Sequence, residues 1–410
     1  MTTARRTRIV YYNHTGQVSG AERVLLNMLR VLDANRYEAS VVCPDNGDLA
    51  DLVKEAGFPC GQVPYAAARF TTSPGRLVKY GLSLLRTVAS MRELFIGLDP
   101  DIIHANSVRA GLIATVATVG TGKKVVWHVH DTLPRHAVST VVRSLAYLSR
   151  RTRVVAVSHS SAAAFAGSLR FGKRLRTIHN GVDLSQYPRK QQGLKAFRAA
   201  LGVADDAFLV CALGQICARK GLLELLEAFQ RIYARAPRMH LAIVGRAVFE
   251  HEEQYRDSLL AYAAATGIQS RVHFTGERAD VSEVLQGSDL LVLNSHQEPF
   301  GLVLVEAMSS GTPVLATRVG GIPEIVTDGL DGWLVERGAV AQLADKMLEM
   351  SRDEQKLKEV ADRAYRITRQ QFSLDRFKVE LLAFYDQLSQ GPEVSWSATS
   401  RPALATNSEK

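Results

Sequence analysis

The chain has 410 residues, 46% of them hydrophobic and 22% charged, which excludes a small disulfide scaffold and a disordered chain and predicts two globular domains of about 150 to 200 residues. Its net charge of +9 is uneven: residues 1–189 hold 25 Lys and Arg against 12 Asp and Glu, residues 190–410 hold 25 against 29. The positive field belongs to the first half, where charge alone admits nucleic acid, anionic lipid or phosphorylated ligands.

The N-terminus, MTTARRTRIVYYNHTG, is basic but has no apolar stretch of signal-peptide length. No run of about 18 or more apolar residues occurs in the chain, so a cytoplasmic protein without a membrane span is expected. Cys43, Cys60, Cys211 and Cys217 lack CxxC spacing and read as buried free thiols in a reducing compartment. Strand-like runs RIVYY (8–12), ASVVC (39–43), DIIHA (101–105), KVVWHV (124–129) and RVVAVS (153–158) alternate with amphipathic stretches. The first run leads into a loop with Gly16 and Gly20 and then a helix whose Val24, Leu25, Met28, Leu29 and Leu32 share a face. Such a strand–glycine–helix junction presents backbone N–H groups to an anion, although it matches neither GxGxxG nor the Walker pattern and an ordinary tight turn explains it equally well.

Stretches 69–94 and 141–153 mix basic and apolar residues. They read either as helices with solvated basic faces or as a monotopic face that docks on anionic lipid. The polar segment 184–195, LSQYPRKQQGLK, is the expected domain link. Beyond it AFLVCAL (207–213), HLAIVG (240–245), VHFTG (272–276), LLVLN (290–294) and PVLAT (313–317) repeat the strand–helix plan. Two successive sets of βαβ units predict two doubly wound parallel sheets. At the junction GQICARKG, Arg219 and Lys220 follow a strand end, the place where such sheets bind ligands. In EPFGLVLVEAM, Glu306 is the one charge in an apolar helical run and Glu298 lies in the loop before it. Buried carboxylates need donors: the hydroxyls of a sugar would serve, and for Glu306 a backbone or Arg partner within the protein is the alternative. An amphipathic segment 374–388 precedes a Ser-, Thr- and Pro-containing tail from about residue 391, expected to be disordered.

The segment EPFGLVLVEAMSSGTPVLATRVGGIPEIV, with its E-x7-E spacing, resembles the signature of the retaining GT-B glycosyltransferases of family 4. SGAERVLLNML, DIIHANS, VVWHVHD, VVAVSHSS, HNGVDLSQYP, GQICARKG and FSLDRFKVELLAFYDQL fall in the order of that family. The resemblance implies an α/β GT-B fold: Rossmann-like domains at 1–187 (acceptor) and 188–372 (donor) facing across a cleft, a crossing helix at 373–390 and a tail at 391–410. It implies a nucleotide-diphosphate sugar as donor substrate, of UDP or GDP type, with no further cofactor. The diphosphate would lie against Gly16, Gly20, the loop 214–221 and the helix start at Phe300, Gly301 and Leu302. Glu306 would bind the ribose, Glu298 the donor sugar, and Lys220 the phosphates, while His130 in VVWHVHD would stand at the active site beside the leaving group. His104 and His128 are expected to be structural or on the acceptor side, with Asp131 orienting His130 or touching the acceptor. In the family pattern an arginine usually precedes the lysine by five residues; here it is Gln215, and Arg219 or Arg246 is expected to restore the charge.

No His, Asp or Cys grouping has metal spacing, and Asp99-Pro-Asp101 reads as a turn. The basic residues are scattered, without an RNP or helix-turn-helix pattern, so nucleic acid is not an expected partner. The expected function is transfer of a sugar to a glycan or lipid-linked hydroxyl acceptor. The expected place is the cytoplasm or the inner face of a membrane. A nucleotide-sugar-binding protein with little turnover, motivated by Gln215, and a sugar-nucleotide epimerase are the alternatives.

Overall fold

The computed structural model describes residues 5–63, 74–133, 137–189 and 196–390. The tail from residue 391 and most of the expected link, 190–195, lie outside them, as do residues 64–73. The first domain holds strands β1 (Thr7–Tyr12), β2 (Tyr37–Pro44), β3 (Cys60–Val63), β4 (Ile102–Ala105), β5 (Lys124–Val129), β6 (Thr152–Ala156) and β7 (Leu175–Thr177). The second holds β8 (Phe208–Leu213), β9 (Met239–Val244), β10 (Val272–Gly276), β11 (Leu290–Leu293), β12 (Val314–Thr317) and β13 (Trp333–Val335). All pairings are parallel, in the orders 3-2-1-4-5-6-7 and 10-9-8-11-12-13. Both orders are Rossmann-like, with a reversal between β1 and β4 and again between β8 and β11.

Helices α1 (Gly20–Val31), α2 (Leu49–Glu55), α3 (Pro74–Leu98), α4 (Val108–Ala117), α5 (Ala137–Leu148) and α6 (His159–Ala166) belong to the first domain. The second carries α7 (Ala196–Ala200), α8 (Leu222–Ile232), α9 (Glu250–Ala265), α10 (Val281–Gly287), α11 (Leu302–Ser309), α12 (Ile322–Ile325), α13 (Val340–Met350) and α14 (Glu354–Gln371). The sheets are covered on both faces, which is why their central strands are continuous apolar runs rather than alternating ones. Helix α1 forms because its apolar residues fall on one face and because Glu22, three residues past the N-cap Ser19, reaches back to the Ser19 N–H.

Two chain crossings join the domains. Val182 pairs with Ser373 as an isolated parallel bridge, and the Val182 N–H donates to Phe372 O at 2.9 Å. Past that point α15 (Leu374–Gln390) returns to the first domain. Its Phe377, Leu381, Phe384, Tyr385 and Leu388, spaced to share one helical face, are buried in the core beneath β1 and α1. The crossing helix expected from the sequence is thus a structural part of the first domain.

A second contact holds the domains face to face. Glu324 of α12 accepts the backbone N–H groups of His159 and Ser160, each at 2.8 Å, at the start of α6, and meets His179 Nε2 at 2.8 Å. A carboxylate there satisfies helix N–H donors and the positive end of the helix dipole. Ser158 Oγ adds a bond to Pro299 O at 2.6 Å.

Candidate active site

Both strand-order reversals open toward one cleft. On the second domain, β8 ends at Leu213, and a short 3-10 turn, Ala218–Lys220, brings Lys220 beside the end of β11. Lys220 Nζ donates to Glu298 Oε2 at 2.7 Å, and Ser295 Oγ donates to the same oxygen at 3.1 Å. Both side chains are largely buried, 15% and 11% exposed, so each is the other's principal charge partner. Gly214, Gln215, Lys220, Leu222 and Asn294 line a recess at this reversal.

Three residues after Glu298, Gly301 has φ +107, a conformation that glycine adopts without a side-chain clash, and α11 starts there. One turn into α11, Glu306 is buried. Burial raises its carboxyl pKa, against the opposing effects of Arg23 of α1 and of a hydrogen bond from the Tyr187 hydroxyl. The donors that sequence reasoning sought for Glu306 in a ligand are thus partly supplied by the protein. Tyr187 and Arg23 were not among the expected residues; a buried carboxylate in an apolar helix signals that a partner exists without saying which.

Across the cleft, His130 follows β5. Its Nε2 lies 2.9 Å from Asn106 Oδ1, and burial pushes its pKa down to about 3. The ring lies against His128, centroids 4.0 Å apart and planes tilted by 38°. His128 Nδ1 meets His104 Nε2 at 3.2 Å, and His104 Nδ1 meets the Tyr385 hydroxyl at 2.7 Å. His104 and His128 are fully buried. Asp131 faces the cleft; burial raises its carboxyl pKa, and Arg219 of the other domain and Arg109 act against that rise.

Several expected positions differ in detail. The Gly16 N–H donates to Asn46 Oδ1 at 2.6 Å, and a Cβ on Gly16 would stand 2.5 Å from Pro44 O. Gly16 therefore serves a tight packing of two loops, and its N–H is not presented to a phosphate. Gly20 does reach the cleft side of the second domain: a Cβ there would lie 3.7 Å from Leu302. Phe300 is buried against His179 and Phe372, with ring centroids 5.8 Å away in each case, so its ring is core and only its backbone can line the helix start. The Gln215 side-chain amide donates to both oxygens of Glu252 at 2.7 and 2.8 Å. A polar residue expected to face phosphate instead holds the start of α9, where Glu252 also accepts the Val248 and Phe249 N–H groups. Arg246 pairs with Glu277 in the open, 62% and 63% exposed. Arg219 stays in the cleft, bonded to Gln297 O at 3.4 Å.

Among the described residues the structure gathers one potential metal-ligating group that the spacing did not suggest, His159, His179 and Glu324, with ligand atoms within 4.8 Å of one another. The Glu324 oxygens there already serve the contact between domains. Among the described residues no helix is long and apolar enough to cross a membrane.

Residues 18–186 match the model of Glycosyltransferase Family 4, and residues 195–367 match that of Glycosyl transferases group 1. The chain belongs to glycosyltransferase family 4. Its GT-B architecture is shared with Anabaena HepE, solved with UDP and glucose: TM-score 0.80, 27% identity, covering 93% of this chain and 100% of that one. Among curated members of the family, the Escherichia coli UDP-Gal:alpha-D-GlcNAc-diphosphoundecaprenol alpha-1,3-galactosyltransferase is 24% identical over 86% of this chain and 89% of its own. N-acetyl-alpha-D-glucosaminyl L-malate synthase of Bacillus anthracis is 28% identical over 57% of this chain; the match spans 58% of the synthase.

Proposed function

We propose that the chain transfers a hexose-type sugar from a UDP-linked donor to a hydroxyl of a lipid-linked or glycan acceptor, with retention of anomeric configuration and without a metal ion. The observation that carries this reading is the arrangement around α11: Lys220 paired with Glu298 before the helix and Glu306 buried within it, facing His130 across the cleft. UDP is favoured over GDP by the Anabaena relative, which is solved with UDP and glucose.

Donor binding would exchange partners. The diphosphate takes the Lys220 ammonium, which releases Glu298 to accept hydroxyls of the sugar, and Glu306 takes the ribose hydroxyls. As the anomeric C–O bond breaks, charge grows on the diphosphate, where Lys220 and Arg219 stabilise it in a preorganised site. The acceptor hydroxyl attacks the same face and passes its proton to the departing phosphate oxygen. The E. coli relative's name supports a lipid-diphosphate acceptor. So do the exposed apolar residues Leu82, Leu85, Val141 and Leu148 on α3 and α5 of the basic half, a pattern suited to peripheral contact with anionic lipid.

Calorimetric titration with UDP, GDP and ADP, followed by assay of UDP-sugar hydrolysis, tests the donor reading. Selective UDP binding that weakens in Lys220→Ala and Glu306→Ala is the expected result; indifference to all three nucleotides overturns it. Flotation with liposomes should rise with anionic lipid content, and insensitivity to it removes the membrane contact.

A further inference from the structure

His130 is the last member of a chain of side-chain hydrogen bonds whose direction is settled at every link. Ser19 N–H and Oγ donate to Glu22 Oε2 at 3.0 and 2.5 Å. Asn13 Nδ2 spends one hydrogen on Thr15 O at 2.6 Å and the other on Glu22 Oε1 at 3.0 Å. Both acceptors are pure acceptors, so the Asn13 amide has one possible orientation and its Oδ1 must accept. Asn106 Nδ2 donates to that Oδ1 at 3.0 Å and to Ala21 O at 3.1 Å. A backbone carbonyl cannot donate, so the Asn106 amide is fixed as well, and its Oδ1 faces His130 Nε2. Asn13, Glu22 and Asn106 are buried, which makes an unmatched link costly.

We infer that Glu22, Asn13 and Asn106 are positioning residues that hold His130 as the Nε2–H tautomer, leaving the Nδ1 lone pair as a hydrogen-bond acceptor for a sugar hydroxyl in the cleft. Among the described residues Nδ1 has no hydrogen-bond partner. Burial keeps the ring neutral at ordinary pH, so it accepts at Nδ1 instead of donating there. Sequence shows how the relay is assembled: Asn13 and Asn106 directly follow β1 and β4, the two strands on either side of the reversal, and Glu22 lies in the first turn of α1. The same carboxylate therefore caps the helix behind the Gly16–Gly20 loop and, through Asn13 and Asn106, anchors the imidazole on the same, first-domain wall of the cleft. Nδ1's use of a sugar hydroxyl rests on the transferase reading; the tautomer does not.

The test is a long-range 1H–15N correlation on the full chain labelled with 15N-histidine, His130 being assigned by His130→Gln. The wild type should show Nε2–H. Asn106→Ala should populate the other tautomer and lower kcat by about 10-fold or more, the lower end of the range for a metal-bound imidazole that loses its orienting partner, while the Kd for UDP stays within about two-fold. Asn106→Asp keeps an acceptor opposite Nε2 but loses the donors to Asn13 and Ala21, so it should hold the Nε2 proton while raising the pKa of His130 above that of the wild type. Asn13→Ala, one link further out, should move both readouts the same way by less, and it carries the test if Asn106→Ala fails to fold. An Nδ1–H wild type overturns the proposal, as does an unchanged tautomer and kcat in these alanine variants. A wild type that binds UDP-sugars without turning any over defeats the transferase reading and leaves the tautomer result standing.

Discussion

The Lys220 ammonium and the Glu298 carboxylate, 78 positions apart in sequence, stand 2.7 Å apart at the strand reversal of the second domain. Because both are largely buried, removing either one alone strands the other. Lys220→Ala should cost about 2–3 kcal/mol of stability and weaken UDP about 10- to 100-fold. Pairing Lys220→Met with Glu298→Gln should recover most of the stability and none of the UDP affinity. Chemical denaturation and calorimetry on the three proteins check this; UDP affinity restored in the double variant would show that Lys220 is a structural cation only.

The charge absent at Gln215 should come from Arg219. It occupies the same turn as Lys220 and interacts with Asp131 across the cleft, whereas Arg246 is held by Glu277 in solvent. Arg219→Ala should weaken UDP roughly five- to 20-fold, the worth of one charge-assisted contact at about 1–2 kcal/mol, and Arg246→Ala less than two-fold. Full affinity in both variants would show that neither arginine compensates.

The Glu324 latch predicts a dependence of closure on one carboxylate. Glu324→Ala removes the acceptor of two helix N–H groups and of His179, so kcat/KM should fall about ten-fold and the radius of gyration in solution scattering should increase. Burial pushes the Glu324 carboxyl up, but His179 and the two N–H groups outweigh it and hold it below its ordinary value. Its contribution is present above the unfolded pKa and is lost as pH falls through the folded one. Unchanged scattering would mean that α15 and Ser158 suffice to close the cleft.

Four histidines make the first domain acid-sensitive. Burial lowers His14 to about 4, His104 and His130 to about 3, and His128 well below its ordinary value. Above pH 6.5 none takes up a proton in either state. As pH falls below 6.5 the unfolded chain binds protons that the folded one does not, so each histidine removes about 1.4 kcal/mol of stability per pH unit until its folded pKa is reached. Denaturation midpoints should drop steeply from pH 6.5 to 5, and His14→Gln should reduce that slope by one proton's share. A midpoint flat across this range would contradict burial of the cluster.

Much of this architecture was legible because buried parallel strands are continuous apolar runs. KVVWHV and VHFTG match β5 and β10 residue for residue. The strands that sequence reasoning missed, β3, β7 and β13, are three or four residues long and lie at sheet edges; one neighbour and little length leave no apolar run to see. Glu298, Glu306 and Lys220 were visible as charges in places where charge is costly. The partners that define their geometry were not: Tyr187 and Arg23 for Glu306, Asn106 and Asn13 for His130. Those pairings close over 90 or more residues in most cases, and a single sequence carries no trace of distance. At Gln215 the amide is held by Glu252, 37 positions on, a pairing equally invisible in the sequence.

The seat of α15 has a consequence for biosynthesis. The groove it fills is lined by Ile9, Tyr11, Val24, Leu25 and Leu29, residues synthesised long before Phe377 to Leu388. At about 5–20 residues per second, the first domain waits roughly 10 to 40 seconds after its own final strand before the helix that completes it is made. During that interval the apolar face that α15 covers and the Tyr11 hydroxyl that Tyr385 meets lack those partners. The second domain, which needs no later segment for its sheet, is free to fold while the first is still waiting.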